Sequence, residues 1–377
     1  MKSSARQFAR WAHLWLGLLV GAFLCLMGFT GGMVSLRPQI STLLSPAAAP
    51  VANCQAPPDW NRAARDISAF AHSEIDRIYG PYGSDTRYQF RMTGDQPAVY
   101  RHVIYDACAG RILGSINLGW MDWTVDLHHN LLSGKTGRRW AGAIGVAFLL
   151  SSLSGLLVWL LSKPNLRTAF RIQRRFSRRT PRELHRALGV GAACLLTLEA
   201  FTGIWLCFPQ TMRAALVQVA PAPEDVRPAK VRRDAASTER AGLNELMIAA
   251  HTALPDGLVR EIRLPEGNGP VQIRMWRPGD FRSLGNNIVF LSNSNAQVLG
   301  VDRYADRSGS NRFVQAMAGL HYDDWGGLPF RILCAAAGFL TPVLFVTGFL
   351  IWWYARPRKK SSIQRQAAVT PEAVQAR

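Results

Sequence analysis

Residues 183–208 read ELHRALGVGAACLLTLEAFTGIWLCF, and residues 11–36 read WAHLWLGLLVGAFLCLMGFTGGMVSL. Laid one over the other, they place His13 on His185, Gly17 on Gly189, and the Phe-Thr-Gly of 29–31 on that of 201–203. Both are apolar runs long enough to span a bilayer of about 30 Å at about 1.5 Å of helix rise per residue. Two further runs, 141–161 and 332–354, match each other in the same way. There Leu127 and His128 fall on Leu320 and His321, Gly134 on Gly327, Arg138 on Arg331, Gly145 on Gly338, Gly155 on Gly348, Trp159 on Trp352, and Lys163-Pro164 on Arg356-Pro357. Any one of these matches could be chance in apolar sequence. A single register held from the histidine to the closing basic-Pro pair marks an internal duplication.

Four apolar blocks, at 14–36, 141–161, 187–208 and 332–354, hold much of the 48% apolar content of the 377-residue chain, which rules out a soluble enzyme. The formal charge of +19 is concentrated at their flanks. Between 163 and 186 lie Lys163, Arg167, Arg171, Arg174, Arg175, Arg178, Arg179, Arg182 and Arg186 against the single acid Glu183, and short loops this basic stay in the cytoplasm. Lys2, Arg6, Arg10, Arg356, Arg358, Lys359 and Lys360 place both termini on the same side. The basic run joins two spans directly, and only Phe170 and Phe176 interleave with its arginines, so it reads as membrane charge and not as a nucleic-acid site. The first block is too long for the h-region of a cleaved signal peptide. Of six cysteines, Cys25, Cys194, Cys207 and Cys334 lie in apolar blocks, which leaves Cys54 and Cys108 on the outer side as candidates for a disulfide.

The segments between the spans repeat more faintly. The first is helix-like over 60–77 and strand-like near 87–92, 98–105 and 111–116; the second is helix-like over 239–252 and strand-like near 259–264, 271–276, 287–291 and 297–301. The expected fold is a mainly α membrane protein, a four-helix transmembrane bundle built by duplication, carrying two small α+β periplasmic modules. Its parts are a cytoplasmic N-terminus and first span (1–36), module 1 (37–120), a periplasmic His helix with the second span (121–162), a basic cytoplasmic loop (163–183), and the third span (184–209). Module 2 (210–310), a second His helix with the fourth span (311–355), and a cytoplasmic tail (356–377) follow. Two spans per half preserve orientation, so corresponding residues sit at the same depth.

That rule pairs His13 with His185 near one face and His128 with His321 near the other. Facing histidines between helices can hold a haem iron from both sides, and filling both axial positions favours electron transfer. His129, whose repeat partner is Tyr322, is second to His128 as a ligand. Arg10, Arg186, Arg138 and Arg331 flank the histidines, either as partners of haem propionates or as interface anchors. The glycines of the first and third spans thin these helices for a porphyrin or for close packing. Glu199, deep in the third span, has a proton-carrying or imidazole-orienting role, with a protonated helix-to-helix bond as the alternative. His72, His102 and His251 lie in the outer modules without repeat partners.

These residues resemble the PepSY-associated transmembrane family, which includes inner-membrane ferric-siderophore reductases of the FoxB type. The likeness rests on His13 with Leu16 and Gly17, Phe-Thr-Gly at 29–31 and 201–203, LHHNLLSG at 127–134, ELHR at 183–186, and Leu320-His321 followed by GGLP at 326–329. It implies PepSY-like periplasmic modules, two b-type haems on His13, His185, His128 and His321, a bacterial inner-membrane location, and an oxidoreductase activity that passes electrons to periplasmic ferric siderophore and releases Fe(II). The cytoplasmic parts contain no Gly-rich dinucleotide loop, so the donor is expected to be a separate reductase or membrane quinol. The competing reading is a haem-free permease or an accessory or regulatory protein with PepSY-like binding modules.

Overall fold

The computed structural model describes residues 2–45, 58–81, 86–93, 101–162, 165–173, 175–221, 240–265, 267 and 269–356. Its first half comprises α1 (Lys2–Leu19), α2 (Gly21–Ser35), α3 (Arg37–Leu44), α4 (Trp60–Ala71), β1 (Ile75–Tyr79), β2 (Arg87–Met92), β3 (Arg101–Asp106), β4 (Arg111–Asn117), α5 (Gly119–Asn130) and α6 (Gly134–Leu160). A short α7 (Leu166–Ala169) leads into the second half: α8 (Thr180–Cys207), α9 (Pro209–Leu216), α10 (Leu243–Ala253), β5 (Leu258–Arg263), β6 (Val271–Trp276), β7 (Asn287–Leu291), β8 (Val298–Asp302), α11 (Gly309–His321), α12 (Gly327–Phe339) and α13 (Thr341–Tyr354). The two halves run through one order: long helix, short helix, helix, four strands, His-bearing helix, long helix.

Among the described residues, three helices are long and apolar enough to cross a membrane, Gly134–Leu160, Thr180–Cys207 and Gly327–Tyr354; Ser4–Leu19 and Gly21–Ser35 pass the same test as a pair but are bent by 73°. The bend corrects the straight span expected over 14–36. A Cβ on Gly21 would lie 2.5 Å from the Phe345 ring, so an aromatic side chain of α13 packs against the break. Helix α6 packs on α1 and α8, α13 on α8, and α12 on α2, so each long helix has a neighbour on both sides. Leu150, Leu153, Leu157 and Leu160 share one exposed face of α6, and Val343, Val346, Phe349 and Trp353 are exposed on α13. Apolar surface of this extent marks an interaction surface, here one suited to hydrocarbon.

Outside the long helices, all eight strands form one antiparallel sheet in the order β4-β3-β2-β1-β5-β6-β7-β8. The two modules expected from the sequence are therefore halves of a single layer, joined where β1 pairs with β5 through Arg77↔Arg263, Ile78↔Ile262 and Tyr79↔Glu261. Helices α4 and α10 cover one face, and their Ile67, Leu246 and Ala250 share a continuous core with Ile78, Phe90, Ile262, Ile273 and Met275. On the opposite face Ile104 and Ile116 pack with Leu118 and Met121, the latter on α5, which ties the sheet to a His-bearing helix.

The helix expected over 60–77 stops at Ala71, because His72 turns left-handed as its cap and Ile75–Tyr79 leaves as the seam strand. Strand β3 begins at Arg101, and residues 98–100 of the expected strand lie outside the described residues. In the second half the expected strands hold within one residue at their ends, whereas the helix expected over 239–252 begins at Leu243, and residue 239 lies outside the described residues. Cys108 is disulfide-bonded, Cys25, Cys194, Cys207 and Cys334 are free, and Cys54 lies outside the described residues.

The seam makes a testable claim. Ile78 and Ile262 are register partners, 1% and 2% exposed. Ile78→Ala is expected to cost about 2–5 kcal/mol. Hydrogen exchange should then show protection falling in strands of both halves together; loss confined to β1–β4 would contradict a single core.

Candidate cofactor site

The four repeat-matched histidines stand in two facing couples. In the layer distal to the sheet, His13 of α1 faces His185 of α8 with ring centroids 5.9 Å apart and ring planes at 69°. In the layer next to the sheet, His128 of α5 faces His321 of α11 at 6.2 Å and 26°. A metal bound at about 2 Å by one nitrogen of each ring would hold two imidazole centroids about 6 Å apart. Both couples have that separation.

Hydrogen bonding sets which nitrogen of each ring carries the proton. His13 Nδ1 lies 3.0 Å from the Ser151 carbonyl, and His185 Nδ1 lies 2.9 Å from that of Leu344. A carbonyl only accepts, so both Nδ1 atoms carry the proton. His128 and His321 place Nδ1 3.1 Å from Thr30 Oγ1 and Thr202 Oγ1. Those hydroxyls already donate to Leu26 O at 2.7 Å and Leu198 O at 2.8 Å, so they too accept from Nδ1–H. His321 Nδ1 is also 3.1 Å from the Glu199 carbonyl. All four rings are thereby held in the Nδ1–H tautomer with the Nε2 lone pair free, the state in which a histidine binds a metal while its other nitrogen fixes its orientation.

Glycines make room for the rings. An added Cβ would lie 2.8 Å from His13 Cε1 at Gly155, 3.2 Å from His185 Cε1 at Gly348, 3.0 Å from His128 Cε1 at Gly31 and 2.9 Å from His321 Cε1 at Gly203. Other glycines serve packing alone, as at Gly338, where a Cβ would lie 2.5 Å from Gly28 O. A third class opens onto space: a Cβ on Gly17, one turn after His13, would meet nothing within 4 Å, and one on Gly189, one turn after His185, only Leu344 Cδ2 at 3.7 Å. The sequence alone separates none of these classes. It shows Thr30, Thr202, Gly31, Gly203, Gly155 and Gly348 only as repeat matches, without their task of aiming a ring.

The remaining candidates divide. His128, not His129, faces His321; His129 lies 5.9 Å from His128 at a tilt of 57°, mirrored by Tyr322 at 6.1 Å and 58° from His321. Arg186 donates to the carbonyls of Ala169 and Arg171 at 3.1 and 3.0 Å, tying the loop before α8, and Arg138 donates to Leu206 O at 2.5 Å. Arg331 is 3.5 Å from Asp324 Oδ1, with its Nε buried and unpartnered, and Arg10 is exposed. Glu199 Oε2 is 3.3 Å from His321 Nδ1, so the carboxylate expected in the third span does reach an imidazole. His102 is buried beside Asp122, and burial holds its imidazole below the usual pKa; His72 caps α4, and His251 is exposed.

Fold and site together define a membrane-associated helical protein with an antiparallel sheet at one end of its helices and two layers of paired histidines. The chain belongs to the PepSY-associated transmembrane family, whose model of the PepSY-associated TM region matches residues 10–355. No curated protein matches it.

The two kinds of glycine respond differently to a methyl group. Gly203→Ala is expected to destabilise the detergent-solubilised protein by about 1–3 kcal/mol through the His321 ring, as overpacking does. Gly17→Ala should be neutral or slightly stabilising. Equal unfolding midpoints for the two variants would contradict the ring-cradle role of Gly203.

Proposed function

We propose that the protein is a di-haem, b-type reductase of the bacterial inner membrane that passes electrons across the bilayer to periplasmic ferric siderophore and releases Fe(II). In this reading the bent pair α1–α2 is the first span of a four-helix bundle, the sheet is a pair of PepSY-like modules in the periplasm, and both termini are cytoplasmic. The observation that carries it is the duplicated geometry: two couples of imidazoles at 5.9 and 6.2 Å, each ring a locked Nδ1–H tautomer with Nε2 free.

The residues fit haem in three respects. His13 with His185, and His128 with His321, would each hold one iron from both sides. The side-chain-free faces of Gly17 and Gly189 leave a space beside the distal couple that suits a planar macrocycle. Ser151, Leu344, Thr30 and Thr202 take the Nδ1 protons, which orients the rings and raises their basicity toward a metal. Haem held between these imidazoles would supply a one-electron centre suited to electron transfer rather than oxygen chemistry.

Charge supports this orientation: the arginine-rich segment between α6 and α8 follows the end of α6 away from the sheet, and short basic segments tend to remain cytoplasmic. Iron(III) in oxygen chelators is held as a hard ion; gain of one electron yields Fe(II), which prefers softer ligands and is released more readily. The electron donor is a separate cytoplasmic reductase or membrane quinol.

The test is haem content and spectrum of detergent-purified protein. The reading expects two b-type haems per chain, one after His185→Ala, and a marked drop after Gly17→Leu with the apoprotein still folded. Colourless protein that stays colourless when supplied with haem, or undiminished haem in the His185→Ala variant, would overturn it.

A further inference from the structure

We propose that Glu199, Asp323 and Cys334 form a binding site for a divalent transition-metal ion of intermediate softness, of the Zn2+ or Fe2+ class, beside the sheet-proximal histidine couple and separate from it. Three elements converge there: Glu199 from α8, Asp323 from the turn after α11, and Cys334 from α12. Among the described residues these are the His, Cys, Asp or Glu side chains that gather as a group of three with ligand atoms all within 4.8 Å of one another. A tetrahedral ion with ligands at about 2.0–2.3 Å needs them a little closer, within reach of small side-chain rotations.

The carboxylates lean on each other, on Ser35 and on the Cys334 thiol. Asp323 is 3% exposed and Cys334 5%. Ser35 Oγ donates to Asp323 Oδ2, and His321 Nδ1 stands 3.3 Å from Glu199 Oε2. The second oxygen of each, Asp323 Oδ1 and Glu199 Oε1, is buried with no hydrogen-bond partner. The neighbouring guanidinium of Arg331 turns instead to Asp324, at 3.5 Å. A buried carboxylate beside a half-buried one, each with a bare oxygen, carries a penalty that a cation between them removes.

Comparison of the halves shows that the fold does not require the cluster. In the repeat register Glu199 corresponds to Met27, Asp323 to Asn130 and Cys334 to Ala141, so the first half builds the same helix junction without a charge. Every feature that aims the histidines is duplicated, whereas this one occurs once. The donor set names the class of ion: a thiolate disfavours Mg2+ and Ca2+, and two carboxylates disfavour Cu(I), which leaves ions such as Zn2+, Fe2+ and Co2+. Glu199, with 21% of its side chain exposed, is the open edge for entry. Binding would displace the proton of the Cys334 thiol, which leaves to solvent.

The probe is Co2+ added to chelator-treated, full-length protein in detergent, with metal counted by mass spectrometry and haem counted in the same sample. One equivalent of cobalt beyond haem iron is expected, with a thiolate-to-cobalt charge-transfer band that Zn2+ abolishes and excess Mg2+ does not. Cys334→Ala should remove the band and weaken binding by about tenfold or more while leaving haem content unchanged, and Glu199→Gln should weaken binding similarly. No stoichiometric cobalt, displacement by Mg2+, or affinity indifferent to both substitutions would overturn the site. Cobalt binding in protein that takes up no haem would keep this site and sink the reductase reading; haem-loaded protein that binds no cobalt would do the reverse.

Discussion

Four Nδ1–H hydrogen bonds organise the helical half of this molecule. An imidazole buried between helices must place a proton and a lone pair, and leaving either unmet costs on the order of 1–3 kcal/mol. Here the proton goes to an acceptor on a neighbouring helix in every case: a carbonyl of α6 for His13, a carbonyl of α13 for His185, a threonine of α2 for His128 and a threonine of α8 for His321. The bond that settles the tautomer therefore also sets the packing of one helix on the next. The lone pairs are what remains, on rings whose centroids lie 5.9 and 6.2 Å apart.

Duplication explains how so specific an arrangement is built twice. Each half alone brings one histidine to each layer and cannot complete either couple. Joining the halves completes both layers, and it also merges two four-stranded sheets through β1 and β5 into one core. The same symmetry thus serves the sheet end and the helical end, with α5 and its neighbours as the tie between them. Where the halves differ, at the Gly21 bend and at the Glu199 cluster, the difference is local: an aromatic ring packs on the glycine at the bend, and Glu199, Asp323 and Cys334 stand where the first half has Met27, Asn130 and Ala141.

Much of this was legible in the sequence. Length and polarity of the apolar runs mark the spans, and the register that overlays His13 on His185 and His128 on His321 pairs the residues that the fold brings face to face. That overlay also separates His128 from His129, which composition cannot do. Three things were hidden. The strand Ile75–Tyr79 looked like the end of a helix, and it is pairing, with β2 on one side and with β5 about 180 residues away on the other, that makes it a strand. The fusion of the two sheets depends on that same distant pairing. The task of Thr30, Thr202 and the ring-cradling glycines depends on which helix each faces, and spacing along one chain does not contain that.

The claim that each couple grips a single iron is tested most directly by low-temperature electron paramagnetic resonance of the oxidised, purified protein. The relative rotation of two axial imidazoles governs the anisotropy of a low-spin ferric signal, and the two couples differ, at 69° and 26°. The account predicts two low-spin species, a strongly anisotropic one lost with His13 or His185 and a rhombic one lost with His128 or His321. A high-spin signal from iron with a single axial ligand, or no ferric haem signal in protein supplied with haem, would contradict it.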